Sequence, residues 1–267
     1  MRAIETIAPP SFKEELSAIV REAGAIAEKT FRGSFKHWTK GHGSPVTEAD
    51  IAIDRFLRER LEPLAPDAGW LSEETEDDPA RLSAPRLWVV DPIDGTRAYV
   101  AGLVDWAVSV ALVENGRPVV AALFSPMDDG FYLAMAGEGA TLNGAKIAAS
   151  EGTDFGAARV AGPKRRIDQF AKAEPDIIAE PKVHSLALRI ARIGTGRLDV
   201  AFAGPDSHDW DLAAADLLVH EAGGALTTLD GQPPVYNRAD ARHDALVATG
   251  RARHERVIDI MRGPSRP

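Results

Sequence analysis

Near the start of the chain, apolar residues recur on one side of a helix. Leu16, Ile19, Val20, Ala23 and Ala27 fall at helical spacing, and Ser11-Phe12-Lys13-Glu14 has the form of a capping box. A helix is therefore expected from Ser11 to about Phe31. The turn-rich, basic stretch over 32–44, with Gly33, Gly41 and Gly43, reads as a loop. Thr47 can cap a second helix that buries Ile53, Phe56, Leu57 and Leu61 and stops near Pro63. The period then changes. Arg86–Val90 reads as a strand, Trp106–Val113 as another, and Arg117–Phe124 as its return across the hairpin signal Asn115-Gly116. Gly130–Met135 reads as a fourth strand. Residues 1–150 are thus expected to place helices on a mainly antiparallel sheet.

Residues 151–267 alternate differently. Ala158–Ala161, Leu198–Phe202 and Ala245–Thr249 are strand-like. Ser185–Ile193 and the alanine- and leucine-rich Asp211–Ala222 are helical, the latter closed by Gly223-Gly224. Another helix is expected from about Arg251. This pattern suggests a smaller α/β unit, joined to the first half along a cleft.

Composition narrows the function. The chain has 267 residues and a net charge of −9, from 31 basic and 40 acidic side chains. Such an acidic chain is a poor general nucleic-acid binder, and no direct nucleic-acid partner is expected. A phosphate-bearing ligand would need bound cations to neutralise it. There is no cysteine, which excludes disulfides, zinc-thiolate sites and a thiol nucleophile. Lys13, Glu14 and Glu15 stand where a secretory signal would be apolar, and the apolar runs are too short for a bilayer. A cytoplasmic location without membrane contact is expected, with a homodimer left open.

The chemistry-bearing positions are acidic. Asp91-Pro92-Ile93-Asp94-Gly95-Thr96 leaves the end of a strand with two carboxylates three apart, a stiff Pro92 and a hydroxyl at Thr96. Oxygen ligands on a rigid loop suit Mg²⁺; plain turn punctuation is the alternative. Glu73 sits in Leu71–Asp78, whose bland reading is a solvated acidic loop with Glu76, Asp77 and Asp78 facing water. Asp211 could simply complement a helix dipole. Thr47 and Asp50 could be helix-start residues and no more.

In this order and spacing the motifs resemble the inositol monophosphatase superfamily of lithium-sensitive, magnesium-dependent phosphatases. The resemblance is carried by Ser72-Glu73-Glu74, by Trp88–Thr96, and by Trp210–Ala215 with Glu221-Ala222-Gly223-Gly224. It implies an α/β (α+β) fold, the layered αβαβα sandwich of the inositol monophosphatase and fructose-1,6-bisphosphatase type. It also implies two or three Mg²⁺ ions, for which Mn²⁺ can substitute. Glu73, Asp91 and the Ile93 carbonyl would hold the first ion, Asp91, Asp94 and Asp211 the second, and a third would touch Glu73. Gly95 and Thr96 would bind phosphate through their amides. Asp50 would pair with the Thr96 hydroxyl and help activate the attacking water, and Lys40 matches a loop lysine near the metals.

The implied substrate is a small phosphorylated metabolite. Ser44-Pro45-Val46-Thr47 and Arg97 after Thr96 resemble the 3'(2'),5'-bisphosphate nucleotidase branch, and histidinol-phosphate phosphatases share such a basic residue. The acidic residue that contacts inositol hydroxyls in relatives falls on Gly204. These features favour the 3'-phosphate of 3'-phosphoadenosine 5'-phosphate over inositol 1-phosphate or histidinol phosphate. Lys164 and Arg165, with Arg166, are candidates for holding a second phosphate, or else mark a solvated helix start. The non-enzymatic alternative is an interaction protein for RNA polymerase or ribosomal-RNA processing on the same scaffold.

Overall fold

Along Arg86–Val90, Trp88 and Val90 point to one side and Leu87 and Val89 to the other, and all four are buried. A strand that is apolar on both faces must be covered twice. The computed structural model, which describes residues 10–39 and 45–263, shows how. On one side lie helices α1 (Pro10–Phe31) and α2 (Glu48–Leu61). Between them β1 (His37–Thr39) and β2 (Pro45–Thr47) form an antiparallel ribbon. Beneath them is a sheet of β3 (Ala68–Ser72), β4 (Arg86–Asp94), β5 (Ala107–Glu114), β6 (Arg117–Ser125), β7 (Gly130–Met135), β8 (Gly139–Leu142) and β9 (Ala145–Lys146). The strands pair in sequence order, antiparallel except for β3 with β4. A short helix, α3 (Thr96–Val100), follows β4.

The second sheet contains β10 (Arg159–Ala161), β11 (Ile178–Ala179), β12 (Val200–Ala203), β14 (Gly224–Thr228) and β16 (Leu246–Gly250), in the order β11-β10-β12-β16-β14. A second ribbon joins β13 (Ser207–His208) to β15 (Arg242–His243). Helices α5 (Leu186–Gly194) and α6 (Asp209–Glu221) lie between the sheets, in one apolar cluster with Leu87, Val89 and Leu123 of the first and Ala201, Leu246 and Ala248 of the second. Helices α4 (Lys164–Ala171) and α7 (Arg251–Arg262) flank the outer face of the second sheet, where Phe170, Phe202, Val247 and Val257 pack together. The layers are helix, sheet, helix, sheet, helix, which is the expected sandwich.

Two local expectations change, and one strand was not expected. Helix α1 begins at Pro10, so Ser11 lies in its first turn rather than capping it; proline's fixed φ suits a first helical position. Strand β4 continues past Val90 to Asp94, with a shift of register between Asp91 and Asp94 that leaves room for Pro92 in a paired strand. Strand β3, which ends just before Glu73, has no alternating pattern in Ala68-Gly69-Trp70-Leu71-Ser72 to announce it. Asn115 and Gly116 do form the hairpin turn, both with positive φ.

Candidate active site

The ends of β3 and β4 and the start of α6 meet around one small pocket. Glu73 follows β3 and continues its pairing, its amide donating to the Val90 carbonyl. Asp91 and Asp94 lie on the irregular end of β4. Asp211 lies in the first turn of α6, where its Oδ2 accepts from the His208 amide at 2.7 Å. Asp91, Asp94 and Asp211 each present an oxygen within 4.8 Å of the others. With Glu73, Pro45, Gly95, Thr96, Arg97, Lys182 and His184 they line a pocket of about 190 Å³.

Each aspartate is fixed by its own neighbours. Asp91 Oδ1 accepts from the Ile93 amide at 3.0 Å, which folds the strand end back on itself. Asp94 Oδ2 accepts from Ser185 Oγ at 2.5 Å and the Ala187 amide at 2.6 Å, and Oδ1 from the Leu186 amide at 3.1 Å. Asp94 thus satisfies the exposed amides at the start of α5, which Ser185 caps by accepting from Leu188. Gly95 has φ +97, and a Cβ there would meet the Asp105 carbonyl and the Ser185 amide at 3.2 Å, so glycine fits this crossing for two reasons. Asp105 in turn accepts from the His184 amide and sits 2.8 Å from its Nδ1.

Thr47 and Asp50 form a capping box at the start of α2. Thr47 Oγ1 accepts from Ala49 and Asp50, and Asp50 Oδ2 accepts from the Thr47 amide at 2.7 Å. The other oxygen of the fully buried Asp50 is 3.4 Å from the Thr96 hydroxyl, which also reaches the Ile93 carbonyl at 3.0 Å. Thr96 therefore stands between a carboxylate and the pocket.

The electrostatics are those of a place short of positive charge. Burial, then the charges of Glu73, Asp94, Asp211 and Asp50, push Asp91 well above the usual carboxylate range. Burial raises Asp94 too, against the opposing pull of Ser185 and the α5 amides. Burial and then Asp94 raise Asp211 to about 7. Behind Asp94 and Asp211, burial lowers the Arg189 guanidinium from its ordinary value, and its Nε has no hydrogen-bond partner among the described residues. That cation alone does not balance the carboxylates of the buried Asp91 and Asp94 and the partly buried Asp211. A hard divalent cation with oxygen ligands suits this donor set, because it stabilises all three charges at once.

Of the residues singled out from sequence, Glu73, Asp91, Asp94, Gly95, Thr96 and Asp211 meet at this pocket, Ile93 lies in its turn, and Asp50 stands behind Thr96. Lys40 and Ser44 fall outside the described residues. Lys164 and Arg165 are not brought here. They line a separate open depression on α4 with Asp168, Gln169 and Lys172, and Lys164 pairs with Asp168 at 2.9 Å. At the first turn of α4 the Lys164 side chain is exposed to solvent. Lys182, His184, Ser185 and Arg189 were not anticipated. The start of α5 was legible, and Ser185 as its cap could have pointed to them; what the cap faces, Asp94, lies 91 residues away in sequence.

No helix among the described residues is long and apolar enough to cross a membrane. The family model of the inositol monophosphatase family matches residues 11–263. The chain is 32% identical to a histidinol-phosphatase of Mycobacterium tuberculosis, over 82% of this chain and 85% of that protein. It is 28% identical to the 3'(2'),5'-bisphosphate nucleotidase CysQ of Aggregatibacter actinomycetemcomitans, over 85% and 88%. The solved structure of the Thermotoga maritima IMPase superposes with a TM-score of 0.81 at 26% identity, covering 94% of this chain and 97% of that one. The acidic pocket, the five layers and the matched length agree: this chain belongs to the inositol monophosphatase family and is a magnesium-dependent phosphoric monoester hydrolase.

Proposed function

We propose that the substrate is a small metabolite carrying a second anionic group beside the scissile phosphate, with 3'-phosphoadenosine 5'-phosphate, cleaved at its 3'-phosphate, as the leading candidate. The observation that carries this is the composition of the pocket. Arg97, Lys182 and His184 line it together with the acidic cluster. With the carboxylates serving the cations, the basic groups of Arg97 and Lys182 on the same pocket wall suit an anionic group on the substrate. Such a pocket suits a bisphosphate better than the uncharged ring of an inositol phosphate or the amine of histidinol phosphate. The role assigned above to Lys164 and Arg165 passes in this reading to Arg97 and Lys182.

Glu73, Asp91, the Ile93 carbonyl, Asp94 and Asp211 would hold two or three Mg²⁺ ions. When bound, these ions supply Lewis-acid stabilisation of charge on the phosphoryl oxygens and ease the ionisation of water. The chain's own groups do the rest. The amides of Gly95 and Thr96 receive the phosphate and fix its orientation. The Thr96 hydroxyl gives its proton toward Asp50 while accepting one from the attacking water. Asp50 is kept as a carboxylate acceptor by the two donors of Thr47, at 2.6 and 2.7 Å. Orientation by fixed groups of this kind accounts for much of the rate gain in reactions between held partners.

A substrate panel with Mg²⁺ tests the reading: 3'-phosphoadenosine 5'-phosphate, inositol 1-phosphate and histidinol phosphate, on wild type and on Arg97→Ala and Lys182→Ala. Loss of one charge-assisted phosphate contact is worth about 1.5–3 kcal/mol, so kcat/KM for the bisphosphate should fall from about ten- to more than a hundredfold, and much less for the others. Faster wild-type turnover of inositol 1-phosphate or histidinol phosphate, or equal losses on all three, would overturn it.

A further inference from the structure

The pocket draws its carboxylates from elements of unequal stiffness. Asp91 and Asp94 belong to a sheet strand and Asp211 to a buried helix, whereas Glu73 opens the irregular segment that leaves β3. Something must hold that segment against α6, and a chain of polar groups centred on the buried Arg81 and Asp209 joins the two.

Asp77, four residues after Glu73, accepts from Arg81 through both oxygens, at 2.5 Å from Nε and 2.8 Å from Nη2. The Arg81 side chain is 1% exposed. Its Nη1 donates to Asn237 Oδ1 at 2.7 Å and its Nη2 also to the Arg238 carbonyl at 3.1 Å. The Asn237 side-chain amide returns a bond to the Arg81 carbonyl. Asn237 has φ +58, the left-handed conformation that asparagine tolerates better than most residues. In that conformation its backbone amide donates to Asp209 Oδ2 at 2.9 Å. Asp209 is fully buried, and its other oxygen lies 2.6 Å from His243 Nε2. The Asp209 amide donates to the Ala241 carbonyl, which pins the first turn of α6 to the same loop. Two residues on is Asp211.

We infer that Arg81 and Asn237 are positioning residues: they lock the Glu73 segment to the first turn of α6 and so set the span between Glu73 and Asp211. This rests on the metal-site reading given above. The fork of Arg81 is what makes the lock specific, because one guanidinium bonds Asp77 on one side and Asn237 on the other.

Asn237→Gly is the sharpest test. Glycine keeps the positive φ and the amide to Asp209 and removes only the side-chain link to Arg81. Mn²⁺ binding, followed by electron paramagnetic resonance on the purified protein, is compared with melting of the metal-free protein. Partners that orient metal ligands typically account for about ten- to hundredfold in affinity, and a loss of that order is expected in Asn237→Gly and in Asp77→Asn. The double variant should lose no more than the worse single, since both changes cut one link. Arg81→Met should bind Mn²⁺ as weakly, and because burial of Arg81 makes that variant prone to misfolding, the other two decide. Unchanged Mn²⁺ affinity in Asn237→Gly and Asp77→Asn, whatever their melting temperatures, would overturn the positioning role. Absence of Mn²⁺ binding by the wild type would instead overturn the metal site itself.

Discussion

The residue that ties the site together is Asp94, because its carboxylate faces the cluster while its oxygens also accept three donors from the start of α5. Asp94→Asn keeps the shape and removes the charge. It should lose most Mg²⁺-dependent phosphate release; full activity in that variant, or in EDTA, would rule out the metal mechanism. Ser185→Ala leaves the charge and loosens its hold. Metal affinity should fall about ten- to hundredfold, measured by Mn²⁺ titration. Asp211 makes a prediction about pH. Its carboxyl titrates at about 7 in the metal-free fold against an ordinary 3.8. The folded state then binds more protons than the unfolded chain, so this group's stabilisation is complete below pH 3.8 and is lost as pH rises through 7. In EDTA the melting temperature should fall between about pH 4 and 7, Asp211→Asn should flatten the fall, and excess Mg²⁺ should reverse it.

Among the elements, α2 shows how a capping motif doubles as site architecture. Thr47 caps the helix and also donates to Asp50, which faces Thr96. Thr47→Ala should cost about 1 kcal/mol of stability by urea denaturation, and kcat should fall with Mn²⁺ affinity little changed. Thr47→Ser, which keeps the hydroxyl, should restore both. This scale also separates what could be read from the sequence from what could not. Asp91-Pro92-Ile93-Asp94-Gly95-Thr96 is local, so both the motif and the strand that carries it were visible. The cap of α2 and the start of α5 were visible for the same reason. Arg81 was not, since its fork reaches Asn237 across 156 positions, and no periodicity records such a partner. Lys164 and Arg165 drew notice as a run of charge, but charge density says nothing about which layer a helix occupies, and α4 belongs to the outermost one. Ser11 looked like a cap because the pattern of a capping box can occur one residue inside a helix that proline has already started.

For the molecule as a whole, the middle layer decides stability. Leu218 of α6 is fully buried in the cluster shared by both sheets. Leu218→Ala should cost about 2–5 kcal/mol, the larger because two rigid sheets cannot close on the cavity, and chemical denaturation would measure it. Phosphatase activity at saturating Mg²⁺ should survive at temperatures where the variant stays folded, since the cavity lies along the helix and not at its first turn.

Burial of α6 on every side bears on how an ion could leave. Leu212 through Val219 are all buried, so the amides of this helix have no local route to solvent and should exchange their hydrogens only when the protein unfolds globally. Glu76, Asp77 and Asp78, just beyond Glu73, are exposed and sit outside helix and strand. Their amides should exchange through small local openings. Among the four carboxylates, then, the Glu73 end yields first and the Asp211 end last, and a bound ion would be released by the loop peeling away from a helix that does not move.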